Sequence, residues 1–169
     1  MTLPSPIRPD RVDELLAATT LDEKLSFVHG ATDPESLGSA GYVHGVPRFG
    51  VPPLRLTDGP AGVRVTHPAT AMPAPIALAS TFDTSLARRY GEVIGRDGRA
   101  LGQDVLLSPM VNTIRVPYAG RNFETFSEDP LVSARMVAAE VRGIQSQGLM
   151  ATNILAKNGA RIDLVRQDI

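Results

Sequence analysis

The stretch Gly120-Arg121-Asn122-Phe123-Glu124-Thr125-Phe126-Ser127-Glu128-Asp129-Pro130 sets an arginine among carboxylates in a loop that runs into a helix start. An arginine braced by carboxylates is pre-organised to donate paired hydrogen bonds, and its charge does not depend on pH. An earlier turn, Thr57-Asp58-Gly59-Pro60-Ala61-Gly62-Val63-Arg64, carries an acid and a base together. Asp58 and Arg64 can approach a ligand hydroxyl from two sides. Each residue also has a plainer reading. Asp58 can serve only to hydrogen-bond the backbone of a Thr-Asp-Gly-Pro turn. Arg121 can be an internal partner of Glu124 or Asp58 that braces its loop. Glu128 and Asp129 fit the start of a helix, where carboxylates complement the dipole and cap free N–H groups.

Other chemistries find less support. His29, His44 and His67 are scattered without metal-ligand spacing, so no metal is expected. Ser80, Ser85, Ser108 and Ser127 lack the Gly-x-Ser-x-Gly elbow of a serine nucleophile. With no cysteine there is neither a disulfide nor a thiolate nucleophile. No Gly-x-Gly-x-x-Gly fingerprint follows a predicted strand, since Gly91, Gly95, Gly98 and Gly102 fall inside or at the end of a helix, and no cofactor is expected. A net charge of −1 across 169 residues gives no electrostatic reason to expect nucleic acid or an anionic membrane as partner. The opening Met1-Thr2-Leu3-Pro4-Ser5-Pro6 lacks the charged head and apolar core of a leader, so the expected location is cytoplasmic.

The elements that must position these loops follow from periodicity. Val12, Leu15 and Leu16 mark a helix over Asp10 to Thr19, and Thr20 with Glu23 forms a capping box for a second one. Gly30 to Pro53 is rich in Gly, Pro, Ser and Asp and is expected to be a long loop over a surface. Apolar runs then follow at Pro53 to Leu56, Pro75 to Ala79, Val105 to Leu107 and from Leu149, with helices over Thr84 to Leu101 and Pro130 to about Gln145. Asp83 is the expected N-cap of the first of these helices, with a stripe of Leu86, Tyr90, Val93 and Ile94. Asp129 and Pro130 open the second, with a stripe of Leu131, Met136, Val137 and Val141. This β/α alternation predicts about four parallel strands with right-handed crossovers, in an open sheet or part of a closed barrel. In either case Asp58 and the Ser108 to Ser127 loop lie beyond the carboxyl ends of strands, where such sheets bind ligands.

The chain resembles the family 3 glycoside hydrolases, the β-glucosidase-like enzymes. The likeness runs from Thr20-Leu21-Asp22-Glu23-Lys24 through Arg48-Phe49-Gly50-Val51-Pro52-Pro53 and the Asp58 turn. It continues through Asn112-Thr113-Ile114-Arg115-Val116-Pro117 and the Arg121 loop to Gly143-Ile144-Gln145-Ser146-Gln147-Gly148. The resemblance implies an α/β chain that is the N-terminal portion of a (β/α)8 TIM-type barrel, with Asp58, Arg64 and Arg121 gripping hydroxyls of a terminal β-linked sugar. It also implies a retaining mechanism with an Asp nucleophile and a separate acid/base.

The departures set further expectations. Where the family continues from Ala-Thr into a Lys-His-Phe segment, this chain reads Ala151-Thr152-Asn153-Ile154-Leu155-Ala156-Lys157-Asn158. The family's nucleophile stands in a Ser-Asp-Trp-like context, whereas Asp163 and Asp168 stand in Ile-Asp-Leu and Gln-Asp-Ile. Retaining hydrolysis needs two carboxyl groups about 5–5.5 Å apart. The expectation is therefore an N-terminal enzyme segment, inactive alone, divided into N-terminal helices and loop (1–52), a partial barrel (53–152) and a diverging tail (153–169). A non-catalytic sugar-binding or interaction module, or a truncated remnant, is the alternative. The ligand is a small sugar or β-glucoside. The unpaired edges of an incomplete barrel predict self-association or a complementing chain.

Overall fold

The computed structural model describes residues 9–153; Asp163, Asp168 and nearly all of the expected tail lie outside the described residues. The chain begins with two helices, α1 (Pro9–Ala18) and α2 (Leu21–Val28). The capping box is formed: the Thr20 hydroxyl accepts from the Glu23 N–H at 3.3 Å, and the Glu23 carboxylate accepts from the Thr20 N–H at 2.8 Å. Glu23 also holds Arg48, which donates to the Ala18 carbonyl and so ties the helices to the next segment.

That segment contains regular structure that composition did not reveal. Gly41–Val43 is a strand, β1, and pairs antiparallel with β2 (Leu54–Asp58), Tyr42 lying opposite Arg55. Between them the chain reverses through a 3-10 turn at Pro47–Phe49. A Cβ at Gly45 would sit 2.2 Å from the Val51 carbonyl oxygen, so the reversal requires glycine there. A short link of this kind can join only antiparallel neighbours, because parallel strands need a crossover. Arg55 then fixes the front of the segment to the sheet, its Nε lying 3.1 Å from Asp33 Oδ2.

The fold is the expected α/β type, an open sheet of four strands in the order β1, β2, β3 (Val105–Leu107), β4 (Met150–Ala151) among the described residues. β2, β3 and β4 are parallel as expected, and the antiparallel edge strand β1 lies within the segment expected to be a loop. The crossover from β2 to β3 contains α3 (Pro75–Ala79) and α4 (Thr84–Ala100), and that from β3 to β4 is α5 (Pro130–Ser146). The Pro75 to Ala79 run, expected to join the strand rhythm, is a short helix instead. A brief apolar run suits either period, and Pro75 occupies the first helical turn, where its missing N–H costs nothing.

Asp83 caps α4 through the N–H groups of Ser85 and Leu86, and Asp129 caps α5 through those of Leu131 and Val132. The two helices pack with backbone nearly touching. A Cβ at Gly91 would lie 2.2 Å from the Glu140 carbonyl oxygen, and one at Gly143 would lie 2.1 Å from that of Arg88. Tyr90 and Ile94 of α4, Met136 and Ile144 of α5, and Leu106 of β3 are buried in one core cluster. Leu131, expected on the α5 stripe, is exposed, while Ser133 and Glu140 are buried.

Candidate functional site

Two loops leave the carboxyl ends of β2 and β3, which are hydrogen-bonded parallel neighbours with Asp58 opposite Leu107. The first loop is built on Thr57, whose wholly buried hydroxyl donates to the Arg64 carbonyl at 3.0 Å, while the Arg64 N–H donates to the Asp58 carbonyl at 3.1 Å. Glycine permits two close approaches. A Cβ at Gly59 would meet Leu106 Cδ1 at 2.4 Å, and one at Gly62 would meet the Thr70 carbonyl at 2.3 Å, with Gly62 at φ +113°. The turn is thus closed by the threonine hydroxyl and by main-chain bonds. Among the described residues the Asp58 carboxylate takes no hydrogen bond or ion pair, so the turn-bracing role that competed for this residue belongs to Thr57. Asp58 is half-buried at the strand end, and Arg64 is exposed beside it.

From below, Tyr90 of α4 reaches this loop. Its hydroxyl is shared between the carbonyls of Pro60, at 2.8 Å, and Pro73, at 2.7 Å. Burial, and secondarily the neighbouring Glu140 charge, push the phenol's pKa upward, so it remains a donor.

The second loop begins at Ser108, which is buried, and descends to Phe126, which anchors it in the core. Between these points the chain closes on itself: Asn122 Nδ2 donates to the Val116 carbonyl at 2.8 Å, and the Ile114 N–H donates to the Ser127 carbonyl at 3.1 Å. Arg121 precedes a 3-10 turn at Asn122–Glu124 and donates from Nε to Glu124 Oε2 at 2.6 Å. The pairing with Glu124 is found, but the arginine is about half exposed rather than buried. Asp129 is engaged in capping α5.

Arg121 lines a cavity of about 650 Å³ together with Met110, Asn112, Arg115, Tyr118 and Thr125 among others. Asp58 and Arg64 are not among its lining residues, so the loops share an edge of the sheet without meeting in that cavity. Among the described residues no group of three or more His, Asp or Glu is placed to hold a metal ion. No described helix is long and apolar enough to cross a membrane.

Sequence reasoning missed Glu140. Its side chain is fully buried in α5, with Oε1 3.4 Å from the Ser108 hydroxyl and Oε2 without a partner. Burial pushes its pKa up to about 8, the Ser108 hydrogen bond offsetting a little of this. The signal was present, because Met136, Glu140 and Ile144 recur at helical spacing on the buried face.

A family model described as the glycosyl hydrolase family 3 N terminal domain matches residues 41–154. Over 146 residues the chain is 36% identical to a protein named probable beta-glucosidase J from Neosartorya fischeri, covering 83% of this chain and 16% of that one. The chain thus spans about a sixth of the length of the curated relatives it matches. Among solved structures it is similar to DesR, a beta-glucosidase from Streptomyces venezuelae in complex with D-glucose, with a TM-score of 0.82 and 60% identity over 85% of this chain and 18% of that one. It is also similar to beta-glucosidase 3B from Thermotoga neapolitana in complex with glucose, with a TM-score of 0.79 and 41% identity over 83% of this chain and 22% of that one.

Proposed function

This chain belongs to the family of glycosyl hydrolase family 3 N-terminal domains, and from that premise we propose that it forms part of a pocket for the terminal sugar of a β-glucoside. Asp58, Arg64 and Arg121 are the residues that hold the sugar hydroxyls. The carrying observation is the open Asp58 carboxylate at the end of β2, next to the strand whose loop presents Arg121. A carboxylate with no internal partner among the described residues accepts from hydroxyls, and a guanidinium oriented by Glu124 donates to them, so the two groups offer complementary halves of polyol recognition. The glucose in the related β-glucosidase structures supports this ligand class.

Hydrolysis of terminal β-linked sugars is the reaction of the whole enzyme to which such a pocket contributes. By itself the 169-residue chain binds without turning over. It contains no tryptophan and hence no Ser-Asp-Trp-like nucleophile context, and oriented binding alone supplies no covalent intermediate. The proposal includes pairing of the β4 edge with a second chain, because β4 ends the strand order among the described residues. A strictly monomeric species in sedimentation would remove that element.

The test is titration of the full chain with methyl β-glucoside, followed by NMR. The expected result is saturable binding near millimolar, about −4 kcal/mol, weakened about tenfold by Arg121→Ala with the fold retained. Absence of binding overturns the reading. Turnover of a chromogenic β-glucoside that disappears in Asp58→Ala overturns the claim of inactivity.

A further inference from the structure

A cleft between α2 and the end of β1 lies at the opposite end of the sheet from the loops of Asp58 and Arg121. Val43 pairs with Leu54, so β1 delivers His44 to the start of β2, while Asp58 stands four residues further on, about 13 Å along the strand. The cleft is a space of about 520 Å³, within the size range of small-ligand sites. Tyr42, His44, Pro47 and Pro53 line it, with Asp22 and Ser26 from α2. Its frame is braced by Arg48, which donates from Nε to Glu23 Oε1 at 2.7 Å and from Nη2 to the Ala18 carbonyl at 2.9 Å, and so fixes α2 to the turn that follows β1.

Two polar groups lining this cleft have no partner among the described residues. Tyr42 is only 7% exposed, with the Arg55 guanidinium 5.5 Å above its ring and the His44 ring edge-on at 5.3 Å. Its hydroxyl nevertheless takes no hydrogen bond among the described residues. Nor is that oxygen sealed away, because among the described residues Glu140 Oε2 is the side-chain atom that is both shut off from solvent and unpaired. The tyrosine hydroxyl therefore opens on the cleft, where a ligand can satisfy it. The second group is the Asp22 carboxylate, which makes no hydrogen bond or ion pair among the described residues, whereas Glu23 beside it is engaged by Arg48 and the Thr20 N–H. Arg55, the cation nearest the ring, is neutralised by Asp33 and Glu35. What remains is one uncompensated carboxylate and one hydroxyl, both able to accept, beside proline and aromatic surface. We propose that this cleft is a second binding site, separate from the sugar pocket, for a small organic ammonium: an amine that gives its N–H groups to Asp22 and Tyr42 and lays an apolar ring or chain against Pro47 and Pro53.

The experiment titrates the full chain at neutral pH with benzylamine, benzyl alcohol and benzoate, which share a ring and differ in charge, and follows backbone amides by NMR. Benzylamine should shift the amides of Asp22 to Ser26 and Tyr42 to Gly45, leave those of Met110 to Thr125 in place, and bind about fivefold tighter than benzyl alcohol, the ratio expected of one partly exposed ion pair. Benzoate should bind weakest. Asp22→Asn should bring benzylamine down to the affinity of benzyl alcohol. Tyr42→Phe keeps the ring and removes the hydroxyl, and should weaken benzylamine about three- to tenfold, the loss of one hydrogen bond. Equal affinity for the three probes, tighter binding of benzoate, a preference that survives Asp22→Asn, shifts confined to Met110 to Thr125, or no binding at all overturns the site. Full affinity in Tyr42→Phe overturns the part given to the hydroxyl. Asp22 is exposed and the capping box of α2 is made by Thr20 and Glu23, so Asp22→Asn leaves the helix its cap, and an unchanged circular dichroism spectrum verifies the fold of each variant.

Discussion

The hydroxyl of Ser108, at the root of the loop that carries Arg121, lies 3.4 Å from the carboxyl of Glu140 in a space closed to water. At that separation the hydrogen bond is weak, and the second carboxyl oxygen has no partner. The folded chain therefore keeps Glu140 protonated at neutral pH, with a pKa of about 8 caused chiefly by burial. Tyr90 of α4, also kept neutral by burial, is the ionisable group whose titration feels the Glu140 charge.

Stability should consequently fall as pH rises between about 4.3, the ordinary glutamate value, and about 8. Below that window both folded and unfolded chains hold the proton and Glu140 carries no penalty. Within it the unfolded chain releases the proton and the folded chain does not, at up to about 1.4 kcal/mol per pH unit. Above it both ionise and the slope ends. Glu140→Gln should flatten this dependence and raise the melting temperature relative to the unmodified chain at pH 8. Thermal denaturation across the window checks this, and an unaltered slope in the variant would refute the assignment.

Tyr90→Phe removes the donor shared by Pro60 and Pro73. Two carbonyls then lose their partner, and stability should drop by about 1–2 kcal/mol in urea denaturation. The Asp58 turn should loosen as well, seen as faster exchange of the Arg64 amide that donates to the Asp58 carbonyl.

Gly91→Ala places a methyl group where the Glu140 carbonyl already stands, 2.2 Å away. The helices must separate, and a loss of about 2–3 kcal/mol is expected. Gly120→Ala is the control, because a Cβ there meets nothing within 4 Å. If both variants melt alike, the close helix contact does not limit stability.

What the sequence disclosed was chiefly what is decided locally. The caps at Thr20, Asp83 and Asp129 each act within three residues of themselves, and the helices they open are found where expected. β1 escaped notice because a strand of three residues shows no alternation, and its pairing with β2 depends on a distant contact between Tyr42 and Arg55. Pro75 to Ala79 was ambiguous because so short an apolar run carries no period. Asp58 and Arg121 were legible as residue types on loops that follow strands. The Thr57 hydroxyl closing the turn, and Tyr90 and Glu140 beneath the loops, were not, because each acts across a gap in sequence that only packing closes.

The glycine contacts between α4 and α5 leave no layer of side chains to absorb displacement. The pair moves as one unit, with Tyr90 hydrogen-bonded to the loop after β2 and Glu140 packed, through a weaker contact, against the root of the loop after β3. A shift in either helix is transmitted to both loops together rather than damped between them. The spacing across the mouth of the sheet is thereby inherited from main-chain contact far beneath it.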